Sequence, residues 1–313
     1  ATKGVAYAHP GSHIITTEIE HHAVLHTCQY LERRGFGVTY LPVDERGIVD
    51  PEDVRNAITE ETVLVSVMHA NNEVGSIQLI AEIGRITRDH SVLFHTDAVQ
   101  SFGKLSTKVD ELGVDLLTLS AHKIYGPKGV GALYVRRGTN LEPLLHGGDH
   151  EHGWRAGTEN VAGIVGLGRA AELAVEEMEE EGERLAALRD RLWEGIAANL
   201  KRVRRNGPSN GSRVLPNTLS VCFEYLEGDA VLMGLDAREI AVSTGSACTS
   251  DALDPSHVLL AMGVPPLIAQ GSVRFSLGRE NTPEEIDHVV EVVSSIVEAL
   301  QAGSPLFAEE MVT

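Results

Sequence analysis

The sequence predicts an α/β protein: a larger amino-terminal part built on a mostly parallel sheet, and a smaller α+β domain behind it. Three observations carry this reading. Short β-branched runs alternate with helical patterns through the first half. A Glu-, Ala-, Leu- and Arg-rich helical pattern then runs from Gly163 to Leu200 without a clear breaker and leads into a second set of strands and helices. The length, 313 residues, suits two domains at roughly 150 residues each, placed here at 1–175 and 176–313.

Taken in order, the first part reads as strand HIITT (13–17), a helix near 20–34, strand VTYLPV (38–43) and a helix near 51–59. Strand TVLVSVMHA (62–70), a helix near 79–90, strand VLFHTDAV (92–99) and strand LLTLS (116–120) follow. GPKGVG, after Lys123, reads as the turn of a hairpin. The second part reads as strand LPNTLSVCF (215–223), a helix near 229–240, IAVSTGSAC (240–248), a helix opened by Asp254 and Pro255, strand SVRFSLG (272–278) and a helix from Pro283 to Gln301. That last helix has Thr282 to cap it, proline at its first position and Glu284 and Glu285 in its first turn.

Composition narrows the function. The 26 Lys and Arg against 45 Asp and Glu give a net charge of -19, which repels phosphate backbones and acidic membrane surfaces and argues against nucleic acid and membrane partners. No apolar run approaches the roughly 20 residues needed to span a bilayer, and the start lacks a signal peptide's apolar core, so a soluble cytoplasmic protein is expected. Three scattered cysteines, Cys28, Cys222 and Cys248, speak against a disulfide framework and for a reducing compartment.

In parallel sheets ligands sit beyond the carboxyl ends of the strands. Those ends are polar here: Asn71 and Asn72, then Asp97 and Gln100, then Ser120, His122 and Lys123. A lysine and an aspartate at neighbouring strand ends are what a pyridoxal phosphate site needs, the amine for the aldehyde and the carboxylate to keep the ring nitrogen protonated. Lys123 could equally be a surface charge. Arg274 alternates with Val273 and Phe275, and its planar fork suits a substrate carboxylate or an ordinary ion pair. His21 opens a helix, where it could stack on an aromatic ligand or be solvated. Cys248, in the small-residue stretch STGSACTS, is expected on a mobile, accessible loop, whereas Cys28 and Cys222 sit in apolar patterns and are expected in the core. The histidines of HGGDHEHG, His146, His150 and His152, lack the paired cysteines or helical spacing of a zinc site, and no metal is expected there.

Together these residues resemble the cysteine desulfurases, in the branch of the class V aminotransferases that holds the nitrogen-fixation and iron–sulfur-cluster enzymes. The matching segments are HIITTEIEHHAVL, VSVMHANNEVGSIQ, FHTDAVQSFGKL, LSAHKIYGPKGVGALYVRR, HGGDHEHGWRAGTEN, STGSACTS and SVRFSLGRENTPEEID, and with the SPL near the end they run in family order from His13 to Leu306. The resemblance implies the pyridoxal phosphate-dependent aspartate aminotransferase-like fold (fold type I) and a homodimer that converts L-cysteine to L-alanine. It implies Lys123 as the Schiff-base lysine and general base, Asp97 at the ring nitrogen and His21 stacked on the ring. Asn72 and Gln100 would bond the ring oxygen or the substrate carboxylate; Ser120 and His122 would hold the phosphate, with Thr158 reaching in from the second subunit. Arg274 would clamp the substrate carboxylate. Cys248 would take the sulfur as a persulfide and pass it to an iron–sulfur scaffold or a sulfur carrier, for cluster assembly or tRNA thiolation. The alternatives are another fold type I enzyme, an aminotransferase or a lyase, or an inactive partner subunit. Family members begin several dozen residues earlier with a Gly-Ala-Thr-Glu turn that cradles the phosphate, and ATKGVA resembles the helix after it. The sequence is therefore expected to be a fragment or the product of a shortened gene.

Overall fold

The computed structural model describes residues 1–209, 213–245 and 255–303. The chain divides into two compact units: Ala1–Val43, Ile48–Asn71 and Ile77–Met178 form the first, and Asp44–Gly47, Asn72–Ser76 and the chain from Glu179 onward form the second.

In the first unit the strands are β1 (His13–Thr17), β2 (Gly37–Leu41), β3 (Thr62–Ser66), β4 (Leu93–Asp97), β5 (Leu116–Ser120) and β6 (Gly131–Val135). They make one sheet in the order β2-β1-β3-β4-β5-β6, parallel except for the β5–β6 hairpin. The helices are α1 (Thr2–Ala8), α2 (His22–Glu32), α3 (Pro51–Ala57), α4 (Ile80–Asp89), α5 (Val109–Leu112) and α6 (Val161–Glu176). Successive strand residues point to opposite faces, and both faces are covered. Ile14, Leu64 and Leu116 pack with Val5 of α1 and Val24, Cys28 and Leu31 of α2. Their neighbours Ile15, Val65 and Leu117 pack with Val54 of α3 and Ile80 and Ile83 of α4. The unit is thus three layers, helices over sheet over helices. Local signals start the helices: Asp50 caps α3, its Oδ1 accepting from the Glu52 amide at 2.9 Å with Pro51 at the first position.

In the second unit α7 (Met178–Asn199) precedes β7 (Val203–Asn206), β8 (Thr218–Phe223), α8 (Gly228–Asp236) and β9 (Ser243–Thr244). After these come α9 (His257–Ala261), α10 (Pro266–Ala269), β10 (Ser272–Ser276) and α11 (Pro283–Gly303). The antiparallel sheet has the order β7-β8-β10-β9. Leu188, Leu192 and Ile196 of α7, Val231 and Leu235 of α8, and Val293 and Val297 of α11 pack on Val221, Phe223 and Phe275. Thr282 and Glu285 form a reciprocal cap at the start of α11: the Glu285 amide donates to Thr282 Oγ1 at 3.2 Å, and the Thr282 amide donates to Glu285 Oε2 at 3.1 Å.

Some boundaries differ from the sequence reading. The pattern from Gly163 to Leu200 is two helices, α6 and α7, that meet at Glu177 and Met178. The acidic run here disfavours the carboxyl end of one helix and favours the amino end of the next, where Glu179, Glu180 and Glu181 occupy the first turn. Of the run 240–248, only Ser243–Thr244 is a strand among the described residues. The following helix opens at His257, with Ser256 as its cap, while Asp254 lies outside the described residues. Helix α1 and strand β7, too short to show a clear period, had no counterpart in the pattern reading.

Candidate functional site

The parallel strands of the first unit bring their carboxyl ends to one edge, and most of the polar residues singled out above lie there. Asp97 is the last residue of β4 and pairs in register with Thr118 of β5. Strand β5 ends at Ser120, so His122 and Lys123 sit on a single 3-10 turn, Ala121–Ile124, rather than on the strand. Tyr125 closes that turn in the left-handed region at φ 62°, and the Gly126 amide donates to Ala121 O at 2.8 Å. A Cβ at Gly126 would stand 3.0 Å from Ala121, so the small residue permits the close return.

Asp97 Oδ1 accepts from the Val99 amide at 2.9 Å. Burial raises its pKa; the Val99 amide, His21 and the Thr118 hydroxyl oppose that and favour the carboxylate. His21 caps α2, its Nδ1 accepting from the Ala23 amide at 3.1 Å. The proton of the neutral ring is then on Nε2, free of the backbone. Ser120 Oγ and His122 Nδ1 are 2.7 Å apart on the exposed rim. Slight burial and the ammonium groups of Lys123 and Lys128 lower the His122 pKa. Thr158 is exposed, on the chain leading to α6.

Three buried charged residues were missed by the pattern reading. Glu20, beside His21, is fully buried; its Oε1 accepts from Thr17 Oγ1 and the Met68 amide, both at 2.8 Å, and burial pushes its carboxyl up to about 8. Lys104 Nζ donates to Gln100 O at 3.2 Å and to Lys123 O at 3.5 Å, and burial with the Lys123 charge brings it down to about 8. The signal for Lys104 was its place four residues after Gln100 in DAVQSFGK. The third is Glu73.

Asn72, Glu73 and Arg274 belong to the second unit. Arg274, on β10 opposite Ser220 and Ser243, donates from Nη1 to Asn72 O at 2.7 Å. Its Nε is buried and has no hydrogen-bond partner among the described residues. Glu73 is buried, accepts a short hydrogen bond from Ser256 Oγ, and is pushed up to about 7 by burial, opposed by Ser256 and Arg274. Cys248 lies outside the described residues. Cys28 and Cys222 are fully buried, and burial pushes their thiols up to about 12 and about 11, which makes them poor nucleophiles. His150 and His152 lie on a 3-10 turn at 150–153, and no group of three or more metal-ligating side chains stands together among the described residues.

The family model of the class-V aminotransferases matches residues 1–289. The cysteine desulfurase IscS of Clostridium botulinum is 55% identical over 313 residues, which is 99% of this chain and 79% of that one. The cysteine desulfurase IscS of Methanosarcina thermophila is 54% identical over 312 residues, 99% of this chain and 76% of that one. Among solved structures, a NifS-like protein superposes with a TM-score of 0.88 at 43% identity, covering 96% of this chain and 79% of the other. A structure of SspA in complex with cysteine superposes with a TM-score of 0.74 at 40% identity, covering 88% and 77%. The fold and the strand-edge residues are those of a class-V aminotransferase, a pyridoxal phosphate-dependent family, as the resemblance implied. Within that family the chain belongs to the cysteine desulfurases.

Proposed function

We propose that this desulfurase takes L-cysteine to L-alanine with Cys248 as the sulfur acceptor, using pyridoxal phosphate held at the strand edge of the first unit. The observation that carries the proposal is the placing of Asp97 and Lys123 after adjacent, in-register strands. The donor set there fits the cofactor. Asp97 is a buried carboxylate whose raised pKa calls for a cationic partner, which a protonated ring nitrogen provides. His21 lies close enough to Asp97 to favour its ionised form and offers a flat ring for stacking. Ser120 and His122 offer O–H and N–H groups to the phosphate, with Thr158 added from a second subunit. Lys123 Nζ holds the aldehyde carbon, and Gln100 and Asn72 serve the ring oxygen or the substrate carboxylate.

When bound, the cofactor supplies an electron-accepting ring that lowers the cost of charge at the substrate's Cα. Arg274 orients the substrate through its carboxylate, for which the buried Nε remains available among the described residues. Lys123, released by the incoming amine, takes the Cα proton onto Nζ. Cys248 Sγ, as thiolate, then bonds to the substrate sulfur while the Cβ–S bond breaks and leaves its electron pair on carbon. Reprotonation completes L-alanine, and Cys248 carries a persulfide.

An iron–sulfur scaffold or a sulfur carrier would receive that sulfur. The solved SspA complex with cysteine supports the substrate class. Exposed Leu144, Leu145, Trp154, Val161, Ile164 and Val165 flank Thr158 and support a homodimer through this face. The cysteine usage supports a cytoplasmic location, and among the described residues no helix is long and apolar enough to cross a membrane. The test is a pair of variants: Cys248→Ser should keep the visible absorbance of bound cofactor and lose sulfide release, and Lys123→Ala should lose that absorbance. Sulfide release by Cys248→Ser would overturn the persulfide route.

A further inference from the structure

Asn72 and Glu73 are consecutive, and each holds a different part of the second unit. The Asn72 carbonyl accepts from Arg274 at 2.7 Å, while the Glu73 carboxyl accepts from the hydroxyl of Ser256. Ser256 in turn caps α9, its Oγ accepting from the Leu259 amide at 3.3 Å. On the far side of Cys248, Gly245 comes to the same carboxyl. A Cβ there would stand 2.9 Å from Ser256 Cβ, 3.0 Å from Ser272 Oγ and 3.3 Å from Glu73 Oε2, so glycine is what lets the chain approach. Gly245 and Ser256 are the described residues that bracket positions 246–254, which include Cys248.

A buried carboxyl is costly unless something is gained by it. Glu73 is 8% exposed and Ser256 is 4% exposed. Glu73 has no acid–base duty in the reaction above, where Lys123 carries the proton. Its neighbours are the two flanks of the sulfur-accepting segment and the arginine assigned to the substrate carboxylate, which is an arrangement for holding parts in register.

We propose that Glu73 is a positioning residue: its carboxyl ties both flanks of the Cys248 segment, together with Arg274, to the Asn72–Glu73 turn, and so sets where the Cys248 thiol stands. The proposal rests on the reading of Cys248 as sulfur acceptor.

The experiment measures peptide-resolved alkylation of Cys248 by iodoacetamide in substrate-free protein, beside kcat and KM for L-cysteine. Glu73→Ala and Ser256→Ala should each change the alkylation rate about threefold or more and lower kcat about tenfold, since small misplacements of reacting groups are costly in rate. Cofactor absorbance should be unchanged. Glu73→Gln keeps an acceptor for the Ser256 hydroxyl and should stay near wild type in alkylation, and Glu73→Ala/Ser256→Ala should be no worse than either single change. Wild-type alkylation and kcat in the alanine variants, or losses that add in the double variant, would overturn the proposal. Should Glu73→Ala fail to fold, wild-type behaviour of Ser256→Ala overturns it alone. Failure of the underlying reading looks different: sulfide release would then survive in Cys248→Ser.

Discussion

Lys104 donates its ammonium to the backbone carbonyl of Lys123 at 3.5 Å, and to that of Gln100 at 3.2 Å, so a second lysine braces the turn that carries the first. Lys104→Met removes both hydrogen bonds, each worth about 1 kcal/mol, and should weaken pyridoxal phosphate affinity about fivefold or more. Equilibrium dialysis of the cofactor checks this. The brace also has a pH signature. The Lys104 pKa is down to about 8 from 10.5, so between those values the unfolded chain binds more protons than the folded one, and this residue's contribution to stability rises with pH. Urea midpoints compared at about pH 7.5 and 9.5 should lose that contribution in Lys104→Met.

Glu20 has the opposite sign. Its carboxyl is up at about 8 from 4.5, so the folded state binds the extra proton, and the residue's contribution falls as pH rises from 4.5 through 8. Glu20→Gln is nearly isosteric and keeps an acceptor for the Met68 amide and the Thr17 hydroxyl. Its urea midpoint should decline less than that of wild type between about pH 5 and 8. An unchanged decline would assign the slope to other groups.

Gly84, inside α4, sets two effects against each other. Alanine would gain about 1 kcal/mol of helix propensity. Its Cβ would however stand 2.4 Å from the Leu112 carbonyl oxygen and 3.2 Å from Gly113, where backbone must move. Overpacking of this kind costs about 1–3 kcal/mol, so Gly84→Ala should lower the melting temperature.

Val165 is 66% exposed beside Ile164 and Val161 on α6. Placing a charge there costs a monomer little and an apolar interface a great deal. Val165→Glu should shift the protein from dimer to monomer in sedimentation velocity at micromolar concentration, with its circular dichroism unchanged.

The sheet of the first unit was legible because parallel strands buried on both faces write themselves as apolar runs. Pairs such as Ile14 and Ile15, or Leu116 and Leu117, serve opposite faces. The strand-edge rule then pointed to Asp97 and Lys123 from position alone. What stayed hidden were the buried charges. Glu20, Glu73 and Lys104 belong to types that are mostly exposed, and their burial comes from partners far along the chain: Met68 for Glu20, Ser256 for Glu73, Lys123 for Lys104. No local period announces such a partner. The joint at Glu177 was written in the acidic run, but periodicity alone reads through it.

Residues 72–76 belong to the second unit although they are made with the first. Gly75 O accepts from the Leu215 amide at 2.8 Å, and Ser76 forms a bridge with Val214. As the chain leaves the ribosome, this turn and its buried Glu73 must therefore wait for Val214 and, later still, Ser256 before they find their partners. A nascent chain stalled before those residues would hold the first unit's strands complete and the turn unsheltered, which makes it a natural place for a chaperone or a protease to test whether synthesis has finished.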